Sequence, residues 1–200
     1  MKLLAIESSG LVASAAVFAD DTIVAEFTVN NKQTHSQTLL PMIDQVVTMS
    51  GIDLKEIDAI ATTSGPGSFT GLRIGAATAK GLGLALHKPI VPITTLEALA
   101  FRLAGREGNI CPMMDARRNQ VYAGVYRVGD MLLECVTGQK AVSIEDYIAE
   151  LNDLGDPVTV LGDGVPVHRE ALQQGLNVAW KEAPAHMNRQ SAASVAVLGA

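Results

Sequence analysis

The chain has 200 residues, 48% of them apolar, 18% charged and 4% aromatic, with a net charge of −6. That suits one domain or two small related lobes with a real core. It excludes an independent nucleic-acid binder, which needs a basic surface for phosphates and aromatic platforms for bases. Cys111 and Cys135 are the only cysteines and lack metal or redox spacing. No apolar run reaches the length of a membrane span, and Glu7 closes the first apolar stretch before signal-peptide length, so a cytoplasmic protein is expected.

Lys2–Ile6, Ala13–Ala19 and Thr22–Val29 read as three strands, the last two joined by an Asp20-Asp21 turn. Between the first two, Glu7-Ser8-Ser9-Gly10 is a short polar hairpin tip. In sugar kinases and actin-like ATPases this place holds a carboxylate and phosphate-binding hydroxyls. Plain hairpin chemistry is the favoured alternative.

Thr34 is placed as the cap of a helix reaching about Ser50, with Pro41 either kinking it or beginning its regular part. Leu39, Ile43, Val46 and Val47 form its core stripe; Met42 and Met49 are assigned to another face, beside Thr38 and Gln45. Asp44 is the only formal charge between His35 and Gly51, so a second surface of this helix is expected to be covered. A lone histidine such as His35 is more often a cap or surface residue than a ligand.

Asp53 caps a short turn, and Ala59–Thr63 is a buried strand. It enters Ser64-Gly65-Pro66-Gly67-Ser68-Phe69-Thr70-Gly71, after which Gly71–Leu86 reads as a helix. A glycine-rich turn at a helix N-terminus offers free N–H groups to anions. The spacing is not that of a P-loop, since no Gly-Lys-Ser/Thr occurs, and Thr70 stands where a dinucleotide fingerprint needs its third glycine. Pro66 removes a further donor. Glu7, Ser8, Ser9, Gly65, Gly67 and Ser68 are therefore candidate phosphate contacts, against the favoured reading of a tight turn feeding a close-packed helix. Gly71, Gly75, Ala79 and Gly83 fall at steps of four on one face. A glycine inside a helix costs about 1 kcal/mol against alanine, which close approach of another backbone would offset. That backbone belongs either to the chain's own core or to a partner.

Lys88–Ile93 is the next strand, and Thr94 or Thr95 caps a helix to about Arg106. Three strands followed by strand–helix alternation is the ribonuclease H-like order of the actin, sugar-kinase and chaperone superfamily; a doubly wound α/β sheet also alternates. A looser repeat follows. Strands are expected at Ile110–Met114, Gln120–Tyr126 and Met131–Val136, the last two joined at Gly129-Asp130. A helix at Ile144–Leu154 capped by Ser143, a strand at Val158–Leu161, helical turns around Val167–Gln174, a strand at Asn177–Trp180 and a helix after Asn188 complete it. The expected division is residues 1–103 and 104–200, the second lobe cut short, with the natural chain continuing past Ala200.

Leu4-Ala5-Ile6-Glu7-Ser8-Ser9, His35-Ser36-Gln37 with Leu39-Leu40-Pro41-Met42-Ile43, the run Gly65 to Gly75, and Asp115-Ala116-Arg117 with Val121-Tyr122 occur in that order. The set spans most of the chain and resembles the bacterial TsaB (YeaZ) family, partners in making threonylcarbamoyladenosine on transfer RNA. The resemblance implies a two-lobe actin-like fold and a catalytic paralogue, TsaD. That paralogue holds a metal with two histidines four apart on the helix after the Ile90–Ile93 strand. Here Thr95 and Leu99 match those places; threonine is a poor transition-metal ligand and leucine is none. His35, His87, His168 and His186 are not spaced to replace them.

The expectation is a non-enzymatic scaffold acting on adenosine 37 of tRNAs that read codons starting with A. It holds no metal or tight cofactor, ATP or ADP binding only at a partner interface. Its partners are TsaD, the small ATPase TsaE, a second copy when alone, and tRNA only through the complex. The family pairing predicts an interface of two helices from each chain, through Thr38, Met42, Gln45, Met49, Gly71, Gly75, Ala76, Ala79 and Gly83. The alternatives are a kinase-like ATPase, favoured by the glycine turn alone, and a metallopeptidase, opposed by the missing metal pair. Asp115, Arg117 and Tyr122 read as an acid–base cluster or, preferably, as an ion pair shaping a tight turn.

Overall fold

A computed structural model describes residues 1–31, 34–129 and 132–200. The first unit comprises Met1–Ala98 and Gln190–Ala200, the second Leu99–Arg189. The return of residues 190–200 to the first unit departs from the expected 1–103 and 104–200, and its cause is visible. Strands β1 (Lys2–Glu7), β2 (Ala13–Ala19) and β3 (Thr22–Val29) make an antiparallel meander, and β4 (Ala59–Thr63) and β5 (Ile90–Ile93) add in parallel beside β1, in the order β3-β2-β1-β4-β5. Such a sheet has two apolar faces to cover. Helices α1 (His35–Ser50) and α2 (Phe69–Leu86) lie on one, with Leu39, Met42, Ile43, Val46 and Ala79 against Leu4, Ile6, Ala15, Val17 and Ile60. The C-terminal helix α7 (Ala192–Gly199) covers the other, setting Ala192, Val195 and Ala196 on Leu3, Ala5, Ala16 and Ala61.

Polar groups on the sheet hold α7 at its N-terminus. The Ala192 N–H donates to Ser14 Oγ at 3.0 Å, and Glu26 Oε1 accepts from Ser191 Oγ at 2.5 Å and from the Ala193 N–H at 3.3 Å. A carboxylate over the free N–H groups of a first helical turn is favourable.

The second unit repeats the connectivity. Strands β6 (Asn109–Arg117), β7 (Gln120–Gly129) and β8 (Leu132–Ser143) form the meander, with β9 (Val158–Leu161) and β10 (Trp180–Glu182) parallel beside β6. Helix α3 (Thr95–Phe101) joins the two halves of the chain; α4 (Ile144–Leu154), α5 (Gly164–Val167) and α6 (Arg169–Gly175) belong to the second. Ile144, Tyr147 and Leu151 of α4 pack on Val121, Ala123 and Val160, and buried Tyr147 donates its hydroxyl to the Gly124 carbonyl at 2.8 Å.

Boundaries shifted where caps decide them. Ser68 takes the Gly71 N–H at 3.2 Å, so α2 starts at Phe69, not Gly71. Thr34 precedes α1 but makes no side-chain cap bond, and Pro41 stands inside a helix that begins at His35. The expected helix to Arg106 ends at Phe101, and the strand placed at Asn177–Trp180 is Trp180–Glu182. The turn expected at Gly129-Asp130 and the strand start at Met131 fall, at Asp130 and Met131, outside the described residues.

One approach fixes α2 on the sheet. A Cβ on Gly71 would lie 2.1 Å from the Ser8 carbonyl oxygen, and one on Gly75 would lie 2.3 Å from Ser8 Oγ. Ser8 Oγ donates to the Gly71 carbonyl at 2.9 Å. Gly81, on the exposed side, meets nothing within 4 Å. Urea unfolding should therefore separate the two positions. Gly71→Ala is expected to cost about 3 kcal/mol through overpacking against backbone, and Gly81→Ala to gain about 1 kcal/mol of helix propensity. Equal responses at the two sites would mean that the approach to Ser8 carries no stability.

Candidate functional site

The hairpin tip after β1 and the glycine turn before α2 close on each other. Glu7, Ser8 and Ser9 are buried. Ser9 donates to Glu7 Oε1 through its N–H at 2.6 Å and its hydroxyl at 2.5 Å. The Ser68 N–H donates to the Ser9 carbonyl at 2.7 Å, and the Gly65 carbonyl accepts the Thr95 N–H at 2.8 Å. His35, half-buried at the start of α1, sets Nε2 2.8 Å from the Gly10 carbonyl, which it reaches as a donor. The candidate phosphate contacts are thus brought together, with Gly65 and Gly67 half-buried and Ser68 exposed, but the hydroxyls of Ser8 and Ser9 are spent on the lobe itself. Gly10, Leu11, Thr34, His35, Ser68 and Thr70 are among the residues lining a cavity of about 260 Å³ beside this seam.

Helices α1 and α2 lie side by side, and two expectations about their faces need correction. Met42 is buried: it is three residues from Leu39 and four from Val46, so helical spacing puts it in the core stripe. Gly71, Gly75, Ala79 and Gly83 face inward as well; the small-residue stripe admits the lobe's own Ser8, Thr62 and Ile90. Of the expected contact residues, Gln45 and Met49 are exposed, Met49 at 79%, and Thr38 and Ala76 are half-buried.

The large apolar side chains left exposed are Leu40 and Met49, on opposite edges of the outer side of α1, and Phe69 and Leu84 of α2, all more than half exposed. Arg73 stacks on the Phe69 ring, its guanidinium carbon 3.8 Å from the centroid. Starting the helix at Gly71 leaves Phe69 in the loop, so its i, i+4 pairing with Arg73 is invisible to sequence pattern. Asp44, Arg73 and Lys80 are the only formal charges exposed on these helices.

Thr95 and Leu99 are fully buried, and among the described residues no three His, Cys, Asp or Glu side chains gather as metal ligands. Burial pushes the Cys111 thiol up to about 12. Asp115 and Arg117 form an ion pair at 3.3 Å at the β6–β7 turn, while Tyr122 sits opposite Met114 on β7. That is the turn-shaping arrangement. Among the described residues no helix is long and apolar enough to cross a membrane.

A protein-family model described as TsaD, tRNA N6-adenosine threonylcarbamoyltransferase, matches residues 22–200. The tRNA threonylcarbamoyladenosine biosynthesis protein TsaB of Bacillus subtilis (strain 168) is 32% identical over 199 residues, 100% of this chain and 87% of that one. The solved structure of YeaZ from Pseudomonas aeruginosa has a TM-score of 0.83 at 26% identity, covering 98% of this chain and 89% of the other. Component A of (R)-2-hydroxyglutaryl-CoA dehydratase from Acidaminococcus fermentans, at 14% identity, has a TM-score of 0.55 over 100% of this chain and 97% of its own. The fold is the two-lobe ribonuclease H-like fold of the actin, sugar-kinase and chaperone superfamily.

Asp163 offers a test of the electrostatics near the turn. Burial raises its carboxyl above the ordinary carboxylate value, although its Oδ1 accepts the Asp115 N–H at 3.3 Å. The folded protein then keeps this proton to higher pH than the unfolded chain, so ionisation lowers stability as pH rises through the carboxylate range. Asp163→Asn retains an acceptor without the charge. It should unfold at a higher temperature than the parent at pH 7, with the difference shrinking as pH falls below that range. A parent that is equally or more stable at pH 7 would remove the burial penalty from the account.

Proposed function

We propose that this chain, which belongs to the TsaB family, takes part in tRNA threonylcarbamoyladenosine biosynthesis as a non-catalytic subunit that docks a TsaD-type partner. The observation that carries the reading is the outer face of α1 and α2. It is poor in charge and backed by the core of the lobe beneath, and among its exposed polar residues it displays Leu40, Met49, Phe69 and Leu84. Large side chains supply most of the binding energy at an interface. Thr38, Gln45 and Ala76 belong at its edges. Met42, Gly71, Gly75, Ala79 and Gly83 support the helices from beneath.

The non-catalytic role rests on Thr95 and Leu99, which offer no metal pair, and on the hairpin-tip hydroxyls engaged within the lobe. Within this reading the substrate is adenosine 37 of tRNAs decoding codons that begin with A. TsaE joins as the small ATPase, ATP or ADP binds only where the partner completes a site, and tRNA is met through the complex in the cytoplasm. The same helices give a weak homodimer when the partner is absent.

Sedimentation with purified partner tests the interface. Met49→Asp and Leu84→Asp alter exposed side chains, so both should fold like the parent and bind the partner at least tenfold more weakly. Met42→Asp buries an unpaired charge and should lose several kcal/mol of stability instead. Parent-like association of both surface variants would move the interface elsewhere. Deletion of the chain from its cell should abolish threonylcarbamoyladenosine in tRNA by mass spectrometry; an unchanged level would sink the assignment to this pathway.

A further inference from the structure

The β6–β7 turn contains three consecutive residues in the left-handed region: Arg117, Arg118 and Asn119 have φ of +66°, +51° and +61°. Asparagine tolerates this region, but an arginine there strains its Cβ against the following carbonyl. Such conformations persist only where their surroundings over-determine them, and they cluster at functional sites. The surroundings here do so. The Arg117 N–H donates to Asp115 Oδ1 at 2.9 Å and its guanidinium pairs with the same carboxylate at 3.3 Å. The Asn119 carbonyl accepts the Ile144 N–H at 3.1 Å, and its amide donates to Glu145 at 2.7 Å.

None of these bonds uses the side chain of Arg118. It is exposed, and among the described residues it makes no hydrogen bond or ion pair. Arg127, Lys140 and Arg169 in the same unit each face a carboxylate. The turn would form more readily with asparagine or glycine at 118, so holding the turn does not account for an arginine there. The turn sets where Arg118 leaves the backbone, and its unpaired guanidinium is a planar fork suited to a phosphate.

We propose that Arg118, with Arg117 beside it, is a preset contact for the phosphate backbone of RNA. The inference rests on the reading of this chain as a subunit in tRNA modification, which supplies the RNA. A chain of net charge −6 repels a polyanion over most of its surface. A phosphate contact on it must therefore be local and free of an internal partner, as this guanidinium is. The carboxylates bonded to this turn, Asp115 and Glu145, are engaged by Arg117 and Asn119.

The test uses the complex of this chain with its TsaD-type partner and an unmodified tRNA transcript, with affinity measured by fluorescence anisotropy across a salt series. Arg118→Asn suits the backbone and removes the charge; Arg118→Lys keeps the charge without the fork. Arg118→Asn should bind tRNA about tenfold more weakly at low salt, and its log–log salt slope should be shallower by about 0.7 to 0.9. Arg118→Lys should recover part of the affinity and the full slope. The unfolding temperature of Arg118→Asn should equal or exceed that of the parent, and its association with the partner should be unchanged. Parent-like tRNA affinity and slope in Arg118→Asn overturns the inference, and leaves the functional reading standing when the parent complex modifies tRNA. Weaker partner association with unchanged tRNA affinity overturns it too, by giving the arginine to a protein carboxylate. A parent complex that neither binds nor modifies tRNA defeats the functional reading, and the inference with it.

Discussion

The seating of α2 on Ser8 is the constraint from which much of the first unit follows. A helix backbone that passes within bonding distance of a strand's hairpin tip cannot carry a Cβ at the contact. Gly71 and Gly75 stand there for that reason. The helix is then close enough for Ser8 Oγ to bond the Gly71 carbonyl, and the glycine turn closes on the tip through the Ser68 N–H and the Ser9 carbonyl. The hydroxyls of Ser8 and Ser9 are here engaged within the lobe, by the Gly71 carbonyl and the Glu7 carboxylate.

The same seating decides what is left outside. With Gly71, Gly75, Ala79 and Gly83 turned inward, the opposite side of α2 must face away from the sheet, and Phe69 and Leu84 go with it. On α1 the stripe of Leu39, Met42, Ile43 and Val46 anchors the helix and leaves Leu40 and Met49 exposed. Burying a side chain of this size stabilises by roughly 1.5–3 kcal/mol, a gain that these four exposed side chains leave unrealised in the isolated chain. Scarcity of charge on both helices removes the desolvation cost that would oppose docking.

The two units share a strand order but not its use. In the first, the C-terminal helix closes the second face of the sheet, with Glu26 and Ser14 capping it from strands far away in sequence. In the second, the first two strands of the meander are joined by a left-handed turn held by Asp115 and Asn119. Backbone connectivity is common to both; what each displays depends on a few side chains at strand ends.

Pattern alone set the strands Ala13–Ala19, Ala59–Thr63 and Val158–Leu161, because buried strands read as largely apolar runs between turn residues, and it set the mostly exposed Thr22–Val29 from the Asp20-Asp21 turn before it. It also set the Ser143-capped helix, since a cap is a local interaction, and the ordered motifs carried the family. The absence of a histidine pair at Thr95 and Leu99 is likewise a statement about residue identity, which no folding can change. The direction in which the small-residue face of α2 points was different. A stripe of glycines says that something comes close, and only the folded chain shows that it is Ser8. The depth of Met42 was legible in its spacing from Leu39 and Val46, whereas the return of α7 to the first sheet depends on contacts between residues up to nearly two hundred positions apart. Local propensity carries no record of such contacts. The left-handed turn at Arg117–Asn119 belongs with them, because its strain is held by Asp115, Ile144 and Glu145, whose proximity exists only after β6, β7 and α4 have come together.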